Sequence, residues 1–458
     1  MRAAFTIMWT CFRYGHTSSQ GDSISASTEV KCRLVDTDST SWPRYEKTIL
    51  MITRTILLSA CIAGLAAPQS ATGADQTKLG AGNASAAALA SDSELIRSAY
   101  EFLKRQISRI QDPKIRSATV DALTNPRTCI ASRAGLDAGR KAAIVQKLIQ
   151  EGLVNPADAT PIQGGLNAGV FPPAIDDGSA CPALPMPVDA APGGSFGGHH
   201  SHPGGLMLHE QFNVSSSLSL IDNYRRVYRV SGSGLNQDLL IAAPLWHDWA
   251  KAIVFQWNAD GSEFTELNLG GNGSTDAWGQ PGDSRTGAHH VITIAEMMKR
   301  GLPPELVITT ASAHSAPTLG NEYKVVNWLR TAAVLAQIDP VAQGFLYLDS
   351  QKHLRLPPLR KLASVSLPGT YTLAEYVIHN LSDDDYSLTI TAIADVQTVL
   401  ASVAPRFRFD PADQATYNTQ FRNKVLSYLS AERLWMIYAN QGEDGVTAEI
   451  VKIKGKLK

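Results

Sequence analysis

The sequence predicts a mainly α-helical protein, and two observations carry this prediction. Apolar residues recur at spacings of three and four, as in Leu95, Ile96, Tyr100 and Leu103, which is the period of a helix with one buried face. Gly301 followed by Pro303-Pro304 is typical of one helix ending and another beginning. A hydrophobic fraction of 44% and a charged fraction of 18% over 458 residues are ordinary for a soluble globular protein with a sizeable core.

The first 74 residues are expected to be processed rather than folded. Residues 51–74 contain Arg54, an apolar run at 56–67 and small residues before Ala74, which together are typical of a secretory signal peptide. The run is shorter than the roughly 20 residues of a membrane-spanning helix. Residues 1–50 would then be a non-native upstream extension. The alternative is a cytoplasmic extension with a buried apolar segment.

The cysteines bear on where the protein is located. The chain has five cysteines, of which only Cys129 and Cys181 would remain after cleavage at Ala74. In a periplasmic or secreted protein such a pair suggests one disulfide, and two free thiols are the alternative. Cys61 follows Leu58-Ser59-Ala60, which resembles a lipobox, so a lipid anchor at Cys61 is a second interpretation of the leader.

The mature chain divides into four predicted regions. They are an N-terminal helical region at 75–153, with 75–92 flexible, a Pro/Gly-rich linker or long ordered loop at 154–199, a domain at 200–347, and a C-terminal helical extension at 348–458. In the last two regions helices are expected at 205–229, 236–256, 287–300, 304–315, 322–347 and within 370–440, with a small strand at 446–458.

Histidines are concentrated in the predicted domain. Eight of the eleven lie between His199 and His314, in or beside predicted helices. Imidazole nitrogen and carboxylate oxygen suit divalent metals such as Mn, Fe, Zn or Ni, and ligands from separate helices can converge within a bundle. Such a metal activates water and neutralises charge on a phosphoryl oxygen, so the pattern favours phosphoester hydrolysis. The formal net charge of −1 gives no strong signal for nucleic-acid binding.

The order of these residues resembles HD-domain metal-dependent phosphohydrolases. The resemblance rests on Gly204-Gly205-Leu-Met-Leu-His209-Glu, Pro244-Leu-Trp-His247-Asp248-Trp-Ala-Lys251, Gly287-Ala-His289-His290, Ala311-Ser-Ala-His314 and Ala336-Gln-Ile-Asp339. It covers 200–347, roughly a third of the chain. With His199-His200 before the glycines, the motif style is nearest to that of 3′–5′ exoribonuclease-type HD domains. The implied fold is an HD-type helical bundle with additional N- and C-terminal helices.

The resemblance also implies roles for these residues. One metal would be held by His209, His247, Asp248 and Asp339. His290 and His314 would bind a second ion or the phosphate, with His289 as the rival of His290. The cofactor would be one or two divalent ions, with Mg added to the metals named above. The catalytic set would comprise Asp248, His290, His314 and Lys251, the lysine contacting a substrate phosphate unless it is simply solvated.

Further residues are weaker predictions. His200 and His202 would line the mouth of the site, or belong with His199 to a surface tract that binds metal nonspecifically. Arg285, with Asp276 and Asp283, would bind substrate from the loop before the Gly-His helix, although polar loop residues are mostly solvated.

The chain departs from the family pattern at three places. Pro244 lies three residues before His247, where it should kink the helix or mark its first turn. Ser315 stands where the exonuclease-like branch often has a second histidine, and Trp249-Ala250 replace small residues. In spite of these departures, the histidine pattern and the resemblance together support an exported phosphohydrolase of small phosphoesters. The alternative is a catalytically degenerate metal- or ligand-binding protein of the cell envelope.

Overall fold

The computed structural model describes residues 9–13, 30–34, 78–229, 234–274, 283–318, 320–359 and 372–457. Its contacts divide the chain into two units, Met1–Gly73 and Ala74–Lys458. In the first unit, Trp9–Arg13 (β1) pairs antiparallel with Val30–Leu34 (β2). The predicted signal peptide at 51–74, the cleavage site and Cys61 lie outside the described residues.

The second unit is mainly helical, as the sequence predicts. Its helices are α1 Asn83–Asp92, α2 Glu94–Ile107, α3 Pro113–Thr124, α4 Ala138–Gln150, α5 Gly165–Val170, α6 Gly205–Tyr228, α7 Gln237–Trp246, α8 Lys251–Val254, α9 Ala288–Lys299, α10 Pro304–Ala311, α11 Glu322–Ala336, α12 Ala374–Asp383, α13 Asp385–Val403, α14 Gln414–Thr416, α15 Asn423–Leu429 and α16 Ala431–Lys452. Two short antiparallel pairs accompany them, Asn268–Leu269 (β3) with Thr286–Gly287 (β4) and Tyr347–Leu348 (β5) with Leu354–Arg355 (β6).

Several predicted boundaries differ from the structure. Residues 83–92 form a helix rather than a flexible segment, and the strand expected at 446–458 is wrong because α16 continues to Lys452. The helix expected at 236–256 is interrupted after Trp246. Pro244 lies inside α7, where it removes one backbone hydrogen bond and its ring crowds the preceding turn, and the helix ends two residues later.

One hydrophobic core joins most of the chain. It includes residues from Ala86 in α1 to Tyr376 in α12, and a second core from Ile393 to Leu457 lies in the C-terminal helices. Segment 154–199 is ordered and contains α5, and it contributes buried Leu184, Met186 and Val188 to the first core. Among the described residues, no helix combines the length and apolarity needed to cross a membrane.

The predicted disulfide is present. Cys129 and Cys181 are bonded, and a β-bridge pairs Cys129 with Ala183 beside it. The bond ties the loop at 154–199 to the N-terminal helices, which helps to fix the segment that continues to Gly193 and the histidines after it.

Candidate metal centre

Four buried side chains from three elements meet at one point. His209 lies on α6, His247 and Asp248 follow the end of α7, and Asp383 ends α12. His209 Nε2 is 3.0 Å from Asp248 Oδ2 and 3.1 Å from Asp383 Oδ1. His247 Nε2 is 3.2 Å from each of the same two oxygens and 3.2 Å from His209 Nε2. We call these four residues the first centre.

These spacings suit a bound cation. Two donors of one ion with bonds of about 2.1 Å are about 3.0 Å apart at neighbouring octahedral corners and about 3.4 Å apart in a tetrahedron. The five distances above fall in this range. His209, His247 and Asp383 therefore form a donor set that could hold a divalent metal, and Asp248 Oδ2 lies 3.0 and 3.2 Å from the two imidazole nitrogens.

The break after α7 orients His247. His247 Nδ1 lies 2.8 Å from the Pro244 carbonyl oxygen. A carbonyl can only accept, so Nδ1 carries a proton, and Nε2 is the ring nitrogen that faces the first centre and could bind an ion there. The backbone carbonyl of Pro244 thus helps to orient the His247 ring.

Asp339 is not part of this centre, which corrects the sequence prediction. It is exposed at the turn after α11, where its Oδ1 accepts hydrogen bonds from the backbone N–H groups of Val341 and Ala342. Asp383 occupies the expected place because α12 packs against α6 and α7. The available signal was His379 and Asp383 four residues apart, on one face of a predicted helix.

A second group shares Asp248. His289 Nε2 lies 3.2 Å from Asp248 Oδ1, the oxygen that does not face the first centre. His289 Nδ1 donates to Glu266 Oε2 at 2.7 Å, so Nε2 is the ring nitrogen that faces Asp248. Asp248, His289 and His314 could together hold an ion, and we call them the second centre. Apart from each other, neither Asp248 Oδ1 nor His289 Nε2 has a hydrogen-bond partner among the described residues.

Of the two adjacent histidines, His289 and not His290 faces Asp248. His290 Nε2 donates to the Ala311 carbonyl oxygen at 3.2 Å, and its ring stacks on that of His314 with centroids 4.0 Å apart. His290 therefore supports His314 and is not placed as a ligand. His314 Nδ1 is 2.9 Å from Thr286 Oγ1.

Lys251 is buried and contacts the centre directly. Its ammonium group donates to Asp248 Oδ2 and to the carbonyl oxygen of Gly193. The interpretation of Lys251 as a solvated helix residue is therefore wrong. Burial opposes its charge, but the adjacent Asp248 carboxylate raises the pKa of Lys251, so the side chain is cationic.

The opposite charges of the first centre stabilise one another's charged forms. Burial alone would raise the pKa of Asp248 and Asp383, but His247 and the other nearby cations hold both values well below the ordinary range. Burial would likewise lower the pKa of His247, whereas the surrounding carboxylates raise it well above its ordinary value. Without metal, the centre is thus an assembly of opposite charges.

Two buried groups behind His247 were not singled out from the sequence. Glu210 Oε2 lies 3.6 Å from His247 Nδ1, and burial raises the pKa of Glu210 to about 8. The His379 ring packs edge-on against His247 with centroids 5.2 Å apart, and burial lowers the pKa of His379 to about 3. Both groups restrict the position of the His247 ring.

A cavity of about 220 Å³ opens onto both centres. Its wall includes His209, Asp248, Lys251, His289 and Asp383. Larger cavities elsewhere do not include these residues. The cavity is below the roughly 300–1,000 Å³ usual for drug-sized ligands, so its direct contents would be a small molecule or one group of a larger one.

The residues predicted at the mouth have different locations. His200 is buried and lies 3.4 Å from Glu432 Oε1. His202 is buried away from the cavity wall, and its Nδ1 donates to the Pro203 carbonyl oxygen. Arg285 pairs with Asp283 and Asp158 instead of lining the cavity. Asp276 lies outside the described residues.

No family model, no curated protein and no solved structure matches the chain.

Proposed function

We propose that this protein is an exported metal-dependent phosphohydrolase of the HD type, acting on a small phosphoester. The observation that carries the proposal is the position of Asp248, whose Oδ2 faces the first centre and whose Oδ1 faces the second. A carboxylate placed in this way can bridge two cations. Two such ions would activate water and neutralise the phosphoryl oxygens.

The chain's own residues would assist at defined points. Lys251 supplies a fixed positive charge in the cavity wall, where it could meet a phosphoryl oxygen. Asp248 holds the His209, His247 and His289 nitrogens around one carboxylate, which fixes the distance between the two centres. The small cavity favours a terminal phosphate or small phosphoester over a nucleic-acid duplex.

The disulfide supports the proposed location. Disulfides persist in oxidising compartments and are rare in the cytosol. The bonded pair Cys129–Cys181 therefore agrees with a periplasmic or secreted protein.

Elemental analysis of the purified full chain tests the metal, and a phosphoester panel tests the reaction. We expect one to two ions per chain, lost in His247→Ala/Asp248→Ala, and hydrolysis that Asp248→Ala abolishes while the circular dichroism is retained. Asp339→Ala is the control for both assays. Full turnover by Asp248→Ala would refute the proposal.

One observation favours a second candidate function, a metal- or ligand-binding protein without turnover. Lys251 contacts the same Asp248 oxygen that faces His209 and His247, so it competes with a cation for that oxygen. This alternative predicts bound metal without hydrolysis anywhere in the panel. Lys251→Met would then bind metal more tightly than the wild type.

A further inference from the structure

Beside the first centre, a glycine-rich loop presents two more histidines to His209. His199 and His200 end the loop that begins at Gly193, and their Nδ1 atoms are 3.2 Å apart. The His199 ring centroid lies 4.9 Å from that of His209, and the His200 centroid lies 5.6 Å from it. One nitrogen from each ring falls in a group whose atoms all lie within 4.8 Å of one another.

The loop is built closely against α6. A Cβ added at Gly193 would lie 2.7 Å from His200 Cβ, and one added at Gly205 would lie 1.8 Å from the His200 carbonyl oxygen. His200 itself has a φ of 49°, a left-handed conformation that is uncommon for residues other than glycine. Such conformations cluster at binding sites, where the surrounding structure holds them in place.

A carboxylate also lies beside His200. Glu432, in the first turn of α16, has Oε1 3.4 Å from His200 Nε2. A carboxylate beside Nε2 favours the proton on that nitrogen, so Nδ1 directs its lone pair toward His199. The arrangement carboxylate–histidine–metal recurs at protein metal sites for this reason.

We propose that His199, His200 and His209 form a third cation site, which shares His209 with the first centre and has Glu432 beside His200 Nε2. The 3.2 Å between the two Nδ1 atoms is close to the separation of about 3.3 Å expected for two nitrogens on one tetrahedral ion. Because all three donors are imidazole nitrogens, the site prefers Zn²⁺, Ni²⁺ or Cu²⁺ and rejects Mg²⁺ and Ca²⁺, which need oxygen ligands.

The rival explanation of the same distance is a hydrogen bond between two imidazoles, which requires no ion. The proposal rests on the proposed function only in that His209 also belongs to the first centre. It can therefore fail while the metal centre around Asp248 stands, and the reverse also holds.

The test compares Ni²⁺ binding by calorimetry and elemental analysis in chelator-stripped full chain. His199→Ala/His200→Ala should bind about one Ni²⁺ fewer than the wild type. In an Asp248→Asn/Asp383→Asn background, which removes the carboxylates of the first centre, the remaining Ni²⁺ should be lost when His199 and His200 are also replaced. His353→Ala removes an exposed histidine elsewhere and should change nothing.

Glu432→Gln provides a readout that a purely structural role would not give. It should keep the stoichiometry and weaken Ni²⁺ binding about 10- to 100-fold at the third site, as loss of an orienting carboxylate does elsewhere. Equal Ni²⁺ stoichiometry in the wild type and His199→Ala/His200→Ala overturns the third site. Loss of ions only on replacement of Asp248 and Asp383 also overturns it and leaves the proposed function intact. If the Asn background does not fold by circular dichroism, the comparison with the wild type decides alone.

Discussion

Replacing Asp383 by asparagine is the sharpest test of the first centre. The change removes one of the two carboxylates among the four residues of the first centre. It keeps the shape of the side chain, which is buried and only 2% exposed. Four-ligand structural zinc sites bind with about 10–16 kcal/mol. An equal share is about 3 kcal/mol per donor, which corresponds to a loss of roughly 100-fold in affinity.

Asp339→Asn is the matched control, because the same chemical change is made at the aspartate that the sequence favoured. An asparagine oxygen can still accept the two backbone hydrogen bonds of that turn, so folding should be unaffected. Competition between the protein and a chelating dye for Zn²⁺ or Mn²⁺ measures the affinity. Equal affinity of Asp383→Asn and the wild type would refute the assignment of Asp383, as would an equal loss in Asp339→Asn.

Three further predictions follow from particular contacts. His289→Ala should remove one ion from the second centre. His290→Ala should retain the ions and lower the melting temperature, because a buried ring is lost. Equal metal loss in both variants would contradict the placement of the two rings. Reduction of the Cys129–Cys181 disulfide should destabilise the fold by up to about 4 kcal/mol in thermal or urea unfolding, because the two residues are 52 positions apart. No change in stability would show that the loop is held by packing alone. Asp121→Asn should lower the free energy of unfolding by no more than about 1 kcal/mol at neutral pH, since the carboxylate is partly exposed.

The difference in unfolding free energy between the wild type and Asp121→Asn should depend on pH, and the pKa of Asp121 gives its direction. Burial opposes the charge of Asp121, but hydrogen bonds from Asn125 and Thr128 and the pairing with Arg300 lower its pKa below 3.8. Its stabilisation is therefore present above the unfolded value and is lost as the pH falls through the lower folded value. Urea unfolding of the wild type and Asp121→Asn should converge in this acidic range. A difference that stays constant there would show that the effect is not electrostatic.

Part of the candidate site could be predicted from the sequence, because it depends on residues that are close together in the chain. His209 on a helix, the His247-Asp248 pair and the histidines before Trp328 are recognisable by residue type and order. Cysteine pairing was readable for a similar reason, since only two cysteines remain after the predicted cleavage. Helical periodicity gave the main fold class, because it repeats within each segment.

The sequence did not decide whether Asp339 or Asp383 belongs to the first centre. Asp339 and Asp383 both lie in or just after predicted helices, and the only local difference is the histidine four residues before Asp383. The choice between His289 and His290 has the same character, because adjacent residues on a helix point about 100° apart and either could face the site. Only the position of the neighbouring helix decides which ring meets Asp248.

By itself, the sequence determined the helical class, the oxidisable cysteine pair and a set of metal-binding residue types concentrated after His199. The tertiary structure alone decided which of them meet. The packing of α12 on α6 and α7 brings Asp383 to the first centre, and the loop before α6 brings His199 and His200 to His209. The physical reason is that periodicity fixes which face of a helix is buried, whereas the partner of that face depends on packing between segments far apart in the chain.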